Sequence, residues 1–427
     1  MQQNNYNKSS KVSKIDFSYL IVGIDVAKTN QYARMCDCNC QELGKKIVFT
    51  RNKAGFNKLN LAIEAMKQKY QKTKVLILME ATGIYWSNIY NYYKNLDESI
   101  EVGVVDVKDV INIRKLFFPS VKSDTVDSLA IAKTALIKGY KQKLELTEKE
   151  RELRDIITFK ERLIKQRTAL KNIITNILDE MFPEYKTVYK DYFCKGSLVI
   201  LNEFYSPDLI NNLTFEELQK KIRSIDKKKW IKKNKLIKLK EAAKESIGVK
   251  LSTAKIAEFK FNLESLSRLI DRINSIDSQV VELMKDNEKF KAMTKIKGMS
   301  TVTAANLLSV VGDFSKFMNP KQLIAYCGLN LRLSESGTHK GKTSISKSGN
   351  SIMRSYLFRA IMPILRANED FKLLHEHYKT RKDNPLKPMQ SIIALMCKLL
   401  RILWGMSKNN VQYDSSKAFP NATAQAA

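Results

Sequence analysis

The chain has 427 residues, 44% of them apolar, and carries 74 Lys+Arg against 44 Asp+Glu for a net charge of +30. That length predicts two or three domains with ample core, and the basic surplus predicts a polyanionic partner. No uninterrupted apolar stretch reaches membrane-spanning length, and the polar start Met1-Gln2-Gln3-Asn4-Asn5-Tyr6-Asn7-Lys8 lacks the core of a signal peptide. The expectation is therefore a cytoplasmic protein with no membrane partner.

In chain order, residues 1–18 are read as a flexible N-terminus. Residues 19–140 then alternate strand and helix signals. The apolar run Tyr19-Leu20-Ile21-Val22-Gly23-Ile24 leads to Asp25. A turn over 39–44 precedes a strand at Lys46-Ile47-Val48-Phe49-Thr50, and a helix is predicted from about Ala54 to Tyr70. Val75-Leu76-Ile77-Leu78-Met79 leads to Glu80, Gly83 to Tyr93 reads as a helix, and Glu101-Val102-Gly103-Val104-Val105 as a strand. A helix holding Asp124 and Asp127 closes the unit. Hairpin strands followed by strand–helix repeats predict a ribonuclease-H-like (RuvC-like) α/β layer fold. Cys36, Cys38 and Cys40 would share one strand face, and their ordinary reading is a strand or hairpin edge in a reducing compartment, since no second cluster completes a metal site. Six cysteines in all are too few and too irregular for a disulfide framework.

Residues 141–290 change character: Glu, Lys, Leu and Ile dominate. Leu153, Ile157, Leu163, Leu170, Ile174 and Ile177 recur at helical spacing, and Pro183 must end that helix. Leu251 to Leu283 forms a second long amphipathic helix, so the pair predicts an antiparallel coiled-coil-like arm. Between them lies Lys227-Lys228-Lys229-Trp230-Ile231-Lys232-Lys233; such a run is ordinarily a solvated face, and alternatively a nucleic-acid contact. Residues 291–413 form a third, mostly helical domain. Its opening, Ile296-Lys297-Gly298-Met299-Ser300-Thr301, partly matches a helix–hairpin–helix, in which helix N–H groups meet a DNA phosphate; a plain helix–turn–helix core element fits nearly as well. The Gly-, Ser- and Lys-rich segment 334–350 reads as a polar loop able to approach a phosphate backbone. The small, polar residues 414–427 are read as a disordered tail.

An acid at the last residue of a buried strand is costly unless something positive meets it. Two such acids, Asp25 and Glu80, joined by an i, i+3 pair, Asp124 and Asp127, supply the carboxylates of a two-metal phosphoryl-transfer site. Singly, each has a structural reading as a turn or helix-capping residue. Ser336 is the candidate nucleophile, although Ser-Gly in a polar loop is ordinarily a turn. The chain has 3 histidines, and the spacing of His375-Glu376-His377 is not that of a helical zinc site. A serine used here would need metal or a carboxylate to activate it.

On Gly23-Ile24-Asp25-Val26-Ala27-Lys28, Glu80-Ala81-Thr82-Gly83-Ile84-Tyr85 and Lys122-Ser123-Asp124-Thr125-Val126-Asp127-Ser128, the chain resembles the DEDD transposases of the bridge-RNA-guided insertion-sequence recombinases, relatives of the Piv-type DNA invertases. The match continues in Ala325-Tyr326-Cys327-Gly328-Leu329, Glu335-Ser336-Gly337 and Ile345-Ser346-Lys347-Ser348-Gly349-Asn350, followed by Met353-Arg354. The resemblance implies a RuvC-like centre of Asp25, Glu80, Asp124 and Asp127 holding two Mg²⁺ or Mn²⁺ ions. It implies that Ser336 attacks DNA to form a transient phosphoserine. It further implies donor and target DNA, a structured guide RNA, a tetramer built as a dimer of dimers, and a place in the bacterial cytoplasm and nucleoid. Nucleic-acid contacts are expected at Lys28, Lys122, Lys227, Lys228, Lys229, Lys297, Gly298, Gly337, Lys340, Lys342, Lys347, Asn350 and Arg354. The alternatives are a site-specific invertase, a metal-dependent junction-resolving nuclease of the Holliday-junction type in which Ser336 is structural, and an inert nucleic-acid-binding descendant. A tyrosine recombinase is disfavoured, because the 17 tyrosines come without its Arg/His constellation.

Overall fold

A computed structural model describes residues 15–119, 124–140, 147–226, 230–332, 335–336, 339–340 and 343–419, without the side chains of 124–125, 335–336 and 339–340. The chain divides into two compact units, residues 1–146 with 317–322, and residues 147–316 with 323–427.

The first unit runs β1 (Tyr19–Asp25), β2 (Asn30–Cys36), β3 (Glu42–Thr50), α1 (Lys53–Lys69), β4 (Lys74–Glu80), α2 (Trp86–Lys94), β5 (Ile100–Val105), α3 (Val107–Phe117) and α4 (Asp124–Lys138). Its sheet has the order β3-β2-β1-β4-β5, with the first three strands antiparallel and β1, β4 and β5 parallel. This mixed five-stranded sheet is consistent with a ribonuclease-H-like domain. β1 and β4 are central and buried on both faces, so their side chains alternate between two cores. Leu20, Val22, Ile24 and Ile77 pack with Phe56, Leu59 and Ile63 of α1 and with Ile89 and Tyr93 of α2. Tyr19, Ile21, Leu76 and Leu78 pack on the other side with Val110 of α3 and Leu129, Ile131 and Ala132 of α4.

Two expectations change here. The helix anticipated from Gly83 begins at Trp86, because Gly83 takes φ +63 and turns the chain first. The three cysteines do not share a strand face: Cys36 is the buried last residue of β2, whereas Cys38 and Cys40 lie in the following turn, Cys40 at φ +65.

The second unit is built on α5 (Glu148–Met181) and α11 (Thr253–Met284), each about 50 Å long at 1.5 Å per residue. They pack antiparallel. Lys160, early in α5, pairs with Asp277, late in α11, and Glu180, late in α5, pairs with Lys255, early in α11. A Thr147/Glu150 capping box starts α5, and the helix stops at Phe182 before Pro183. Between the long helices lie α6 (Tyr185–Val188), α7 (Lys195–Glu203), α8 (Pro207–Asn211), α9 (Phe215–Ile225) and α10 (Lys233–Lys244). Their apolar residues share one core with Ile174, Leu178, Phe259 and Leu266 of the long pair.

The chain continues as α12 (Glu288–Thr294), α13 (Thr301–Val311), α14 (Pro320–Tyr326), β6 (Leu331–Arg332), β7 (Glu335–Ser336), β8 (His339–Lys340), β9 (Ser344–Ile345), α15 (Ser351–Ala367), α16 (Glu369–Thr380), α17 (Pro388–Asn409) and α18 (Ser415–Ala418). Among the described residues α17 alone has the length and composition to cross a membrane. Lys398 and Arg401 interrupt it, and its Leu395, Leu399, Leu400 and Leu403 are buried. The start of the anticipated tail is ordered: Asp414 caps α18, and Phe419 packs edge-on against Phe371.

Candidate active site

The sheet register sets the acids side by side. Ile24 of β1 pairs with Met79 of β4, so Asp25 and Glu80 end adjacent parallel strands. Glu80 in turn pairs with Val105, the last residue of β5, and Asp106 follows it. Three carboxylates thus stand at the carboxyl ends of three neighbouring strands, the edge at which open α/β sheets ordinarily place their ligands.

Helix α4 brings the fourth. Gly23 lets it come close: a Cβ at that position would stand 2.0 Å from the Ser128 carbonyl oxygen. Ser128 is thereby seated against β1, and Asp127 is the residue before it. Asp124 is the first residue of α4, and its side chain lies outside the described ones.

Burial and neighbouring charge act together on Glu80. Burial pushes the Glu80 carboxyl up to about 7, the negative charges of Asp25, Asp127 and Asp106 push the same way, and Arg114 pulls against them. Arg114, in the last turn of α3, donates from Nη1 to both Asp127 oxygens, at 2.9 and 3.3 Å. Both side chains are largely buried, with 22% and 24% of their surface exposed. Asp106 caps α3 by accepting from the Lys108 N–H at 3.0 Å.

Mutually repelling carboxylates suit a hard divalent cation with oxygen ligands, and the donor set fits Mg²⁺ or Mn²⁺. Among the described residues, however, no three His, Cys, Asp or Glu side chains are gathered as a finished cage.

A brace joins the loops behind the acids. Arg51 donates to the carbonyl of Lys28, three residues after Asp25, at 2.7 Å. Its guanidinium also lies 4.2 Å from the ring centre of Tyr85, five residues after Glu80. Asp106, Arg114 and Arg51 were missed by sequence reasoning. Asp106 carried the same signal as Asp25 and Glu80, an acid directly after an apolar strand; the two arginines carried none.

Ser336 lies in a nested pair of short ladders. β6 pairs with β9 outside, and β7 with β8 inside, where Ser336 is opposite His339. The segment expected to be a loop is thus partly a β-hairpin. Its base is built by residues anticipated as nucleic-acid contacts. Arg354 donates to the carbonyls of Cys327 at 2.9 Å and Gly349 at 3.2 Å. Asn350 caps α15 and donates to the Tyr326 hydroxyl at 2.8 Å. Lys347, at φ +52, is held through its N–H on the Gly328 carbonyl with its side chain exposed.

Gly298, at φ +92, meets the backbone of α15, where a Cβ would stand 2.6 Å from Ile364 Cα. Packing thus accounts for this glycine. Lys28 and Lys297 are exposed, Lys340 belongs to β8, and Lys122, Lys227, Lys228, Lys229, Gly337 and Lys342 lie outside the described residues.

Two family models match this chain: a DEDD transposase model over residues 22–183 and one for transposases of the IS116/IS110/IS902 family over residues 291–376. The first takes in the end of β1, β4 and α4 with all four acids, and the second spans the Ser336 hairpin. The chain belongs to the IS110/IS116/IS902 family of transposases. Within that family it is 24% identical over 400 residues to the pilin gene-inverting protein of Moraxella lacunata, covering 92% of this chain and 97% of the relative. It is 24% identical over 409 residues to the transposase for insertion sequence element IS1111A of Coxiella burnetii, covering 92% and 91%. It is 21% identical over 401 residues to an uncharacterized 43.6 kDa protein of insertion element IS110 from Streptomyces coelicolor, covering 93% and 96%. As a member of this transposase family, the chain acts on DNA.

Proposed function

We propose that this transposase excises and inserts its element by serine-mediated strand exchange, with Asp25, Glu80, Asp124 and Asp127 as the metal-holding acids and Ser336 as nucleophile. The observation that carries the reading is the placement of Asp25 and Glu80 at the ends of paired parallel strands, where burial and the negative charges of Asp25 and Asp127 push the Glu80 carboxyl up and a divalent cation would relieve it. The bound ions would offset charge developing on the phosphate. The chain's own residues do the rest. The Ser336 hydroxyl gives its proton to a neighbouring carboxylate while its oxygen bonds to phosphorus. The P–O bond to the leaving strand breaks, and that strand's oxygen takes up a proton. One phosphate ester replaces another, so the bond energy is kept for rejoining, as hydrolysis would not allow.

The proposal includes a structured RNA that pairs with donor and target DNA. A protein with 74 Lys+Arg suits backbone recognition, leaving sequence to base pairing. It also includes a tetramer, a dimer of dimers, in which the acids of one subunit serve the hairpin of another. The test is an excision and insertion assay on donor and target plasmids, with wild type, Asp25→Asn and Ser336→Ala, each with and without RNA from the element's flank. Activity only in wild type with RNA is expected. Strand exchange by Ser336→Ala refutes the nucleophile, and equal exchange without RNA refutes guidance.

A second reading, inversion at fixed sites, is favoured by the similarity to the pilin gene-inverting protein over nearly its whole length. A plasmid bearing inverted copies of the element's ends separates the two: inversion without RNA supports this reading.

A further inference from the structure

We infer that Arg114 is a resident counter-cation of the acidic site: it holds Asp127 while the site is free of metal and gives Asp127 up when a divalent ion binds. The inference rests on the metal-site reading above and adds to it a residue that the family's four acids do not include.

Two observations carry it. Arg114 Nη1 lies across both Asp127 oxygens, at 2.9 and 3.3 Å, so it occupies the side of the carboxylate on which a cation would bridge the two. The pair is also largely removed from water, with 22% and 24% of the side chains exposed. There an unneutralised carboxylate is costly, and a guanidinium is the natural partner.

A divalent ion would sit about 2.1 Å from a carboxylate oxygen. With the guanidinium also on that carboxylate, three positive charges would crowd within a few ångströms of one another. Exchange removes the conflict. Arg114 can make it by side-chain rotation, since its backbone is fixed in α3, which Asp106 caps and Val110 and Ile113 anchor in the core. A guanidinium that only oriented Asp127 for metal would instead stay on it when the ion binds. The two arrangements predict opposite effects of removing it.

The test is Mn²⁺ binding to the full chain by calorimetry, at fixed pH and salt, for wild type, Arg114→Gln and Asp25→Asn. Arg114→Gln should bind Mn²⁺ about tenfold more tightly, which is about 1.4 kcal/mol for the ion pair that wild type must break. Its metal-free form should melt below wild type, and saturating Mn²⁺ should close the gap. Equal or weaker binding by Arg114→Gln, with wild type binding normally, overturns the exchange and leaves the metal site standing. No uptake by wild type overturns both. Should Arg114→Gln fail to fold, the wild type carries the test by NMR, with Arg114→Lys assigning the guanidinium signal. Saturating Mg²⁺ should then move that signal from a slowly to a rapidly exchanging state. An unmoved signal overturns the inference.

Discussion

A Cβ at position 23 would stand 2.0 Å from the Ser128 carbonyl oxygen and 2.7 Å from the Ala132 nitrogen, inside the backbone of α4. Gly23→Ala must therefore push α4, and Asp127 with it, away from Asp25. The expected result is a loss of about 1–3 kcal/mol in urea unfolding, together with weaker Mn²⁺ binding; unchanged binding would show that α4 does not set the site.

Glu80 gives a pH prediction. In the unfolded chain it ionises near 4.5, and in the fold near 7. Between those values the folded state holds a proton that the unfolded state has lost, so metal-free stability should fall as pH rises from 4.5 to 7. Glu80→Gln should remove that share of the slope. Urea midpoints measured across this range for both proteins check it, and parallel curves would contradict it. Asp25 and Glu80 were legible because an acid closing an apolar run stands out. Arg114 was not: it is one of 74 basic residues, and only the packing of α3 on α4 singles it out.

The long helices were legible from their apolar period and from Pro183, because each is long enough for a face to repeat. What locks them was not. Lys160 is 2% exposed and paired with Asp277, which also accepts from Asn306 of α13 at 3.1 Å, while the Tyr356 hydroxyl of α15 donates to Glu161 at 2.8 Å. This buried network fixes the register of α5 on α11 and ties both to the C-terminal helices. Lys160→Met should cost roughly 3–5 kcal/mol, because it strands a charge, and Lys160→Met with Asp277→Leu should recover much of that. Urea unfolding of the single and double variants checks it; equal losses would show that the charges do not act as a pair. The short helices α6 to α10 escaped the sequence because each is apolar only toward a shared core. The nested hairpin escaped because two-residue strands show no period.

Across the whole molecule, the +30 net charge predicts DNA affinity that falls steeply with salt, by orders of magnitude between 50 and 200 mM for roughly six to ten phosphate contacts. Binding titrations at several salt concentrations check this, and a flat profile would contradict backbone recognition. The Asp25, Glu80 and Asp127 centre and the Ser336 hairpin belong to different units of the chain, and the account has both act on one phosphodiester. The most direct test is to incubate the protein with Mg²⁺ and a nicked DNA substrate that traps cleaved ends, and then look for a protein–DNA adduct by denaturing gel and peptide mass spectrometry. An adduct on Ser336 is expected, lost in Ser336→Ala and in Asp25→Asn alike. Cleaved DNA with no adduct, undiminished in Ser336→Ala, would contradict it.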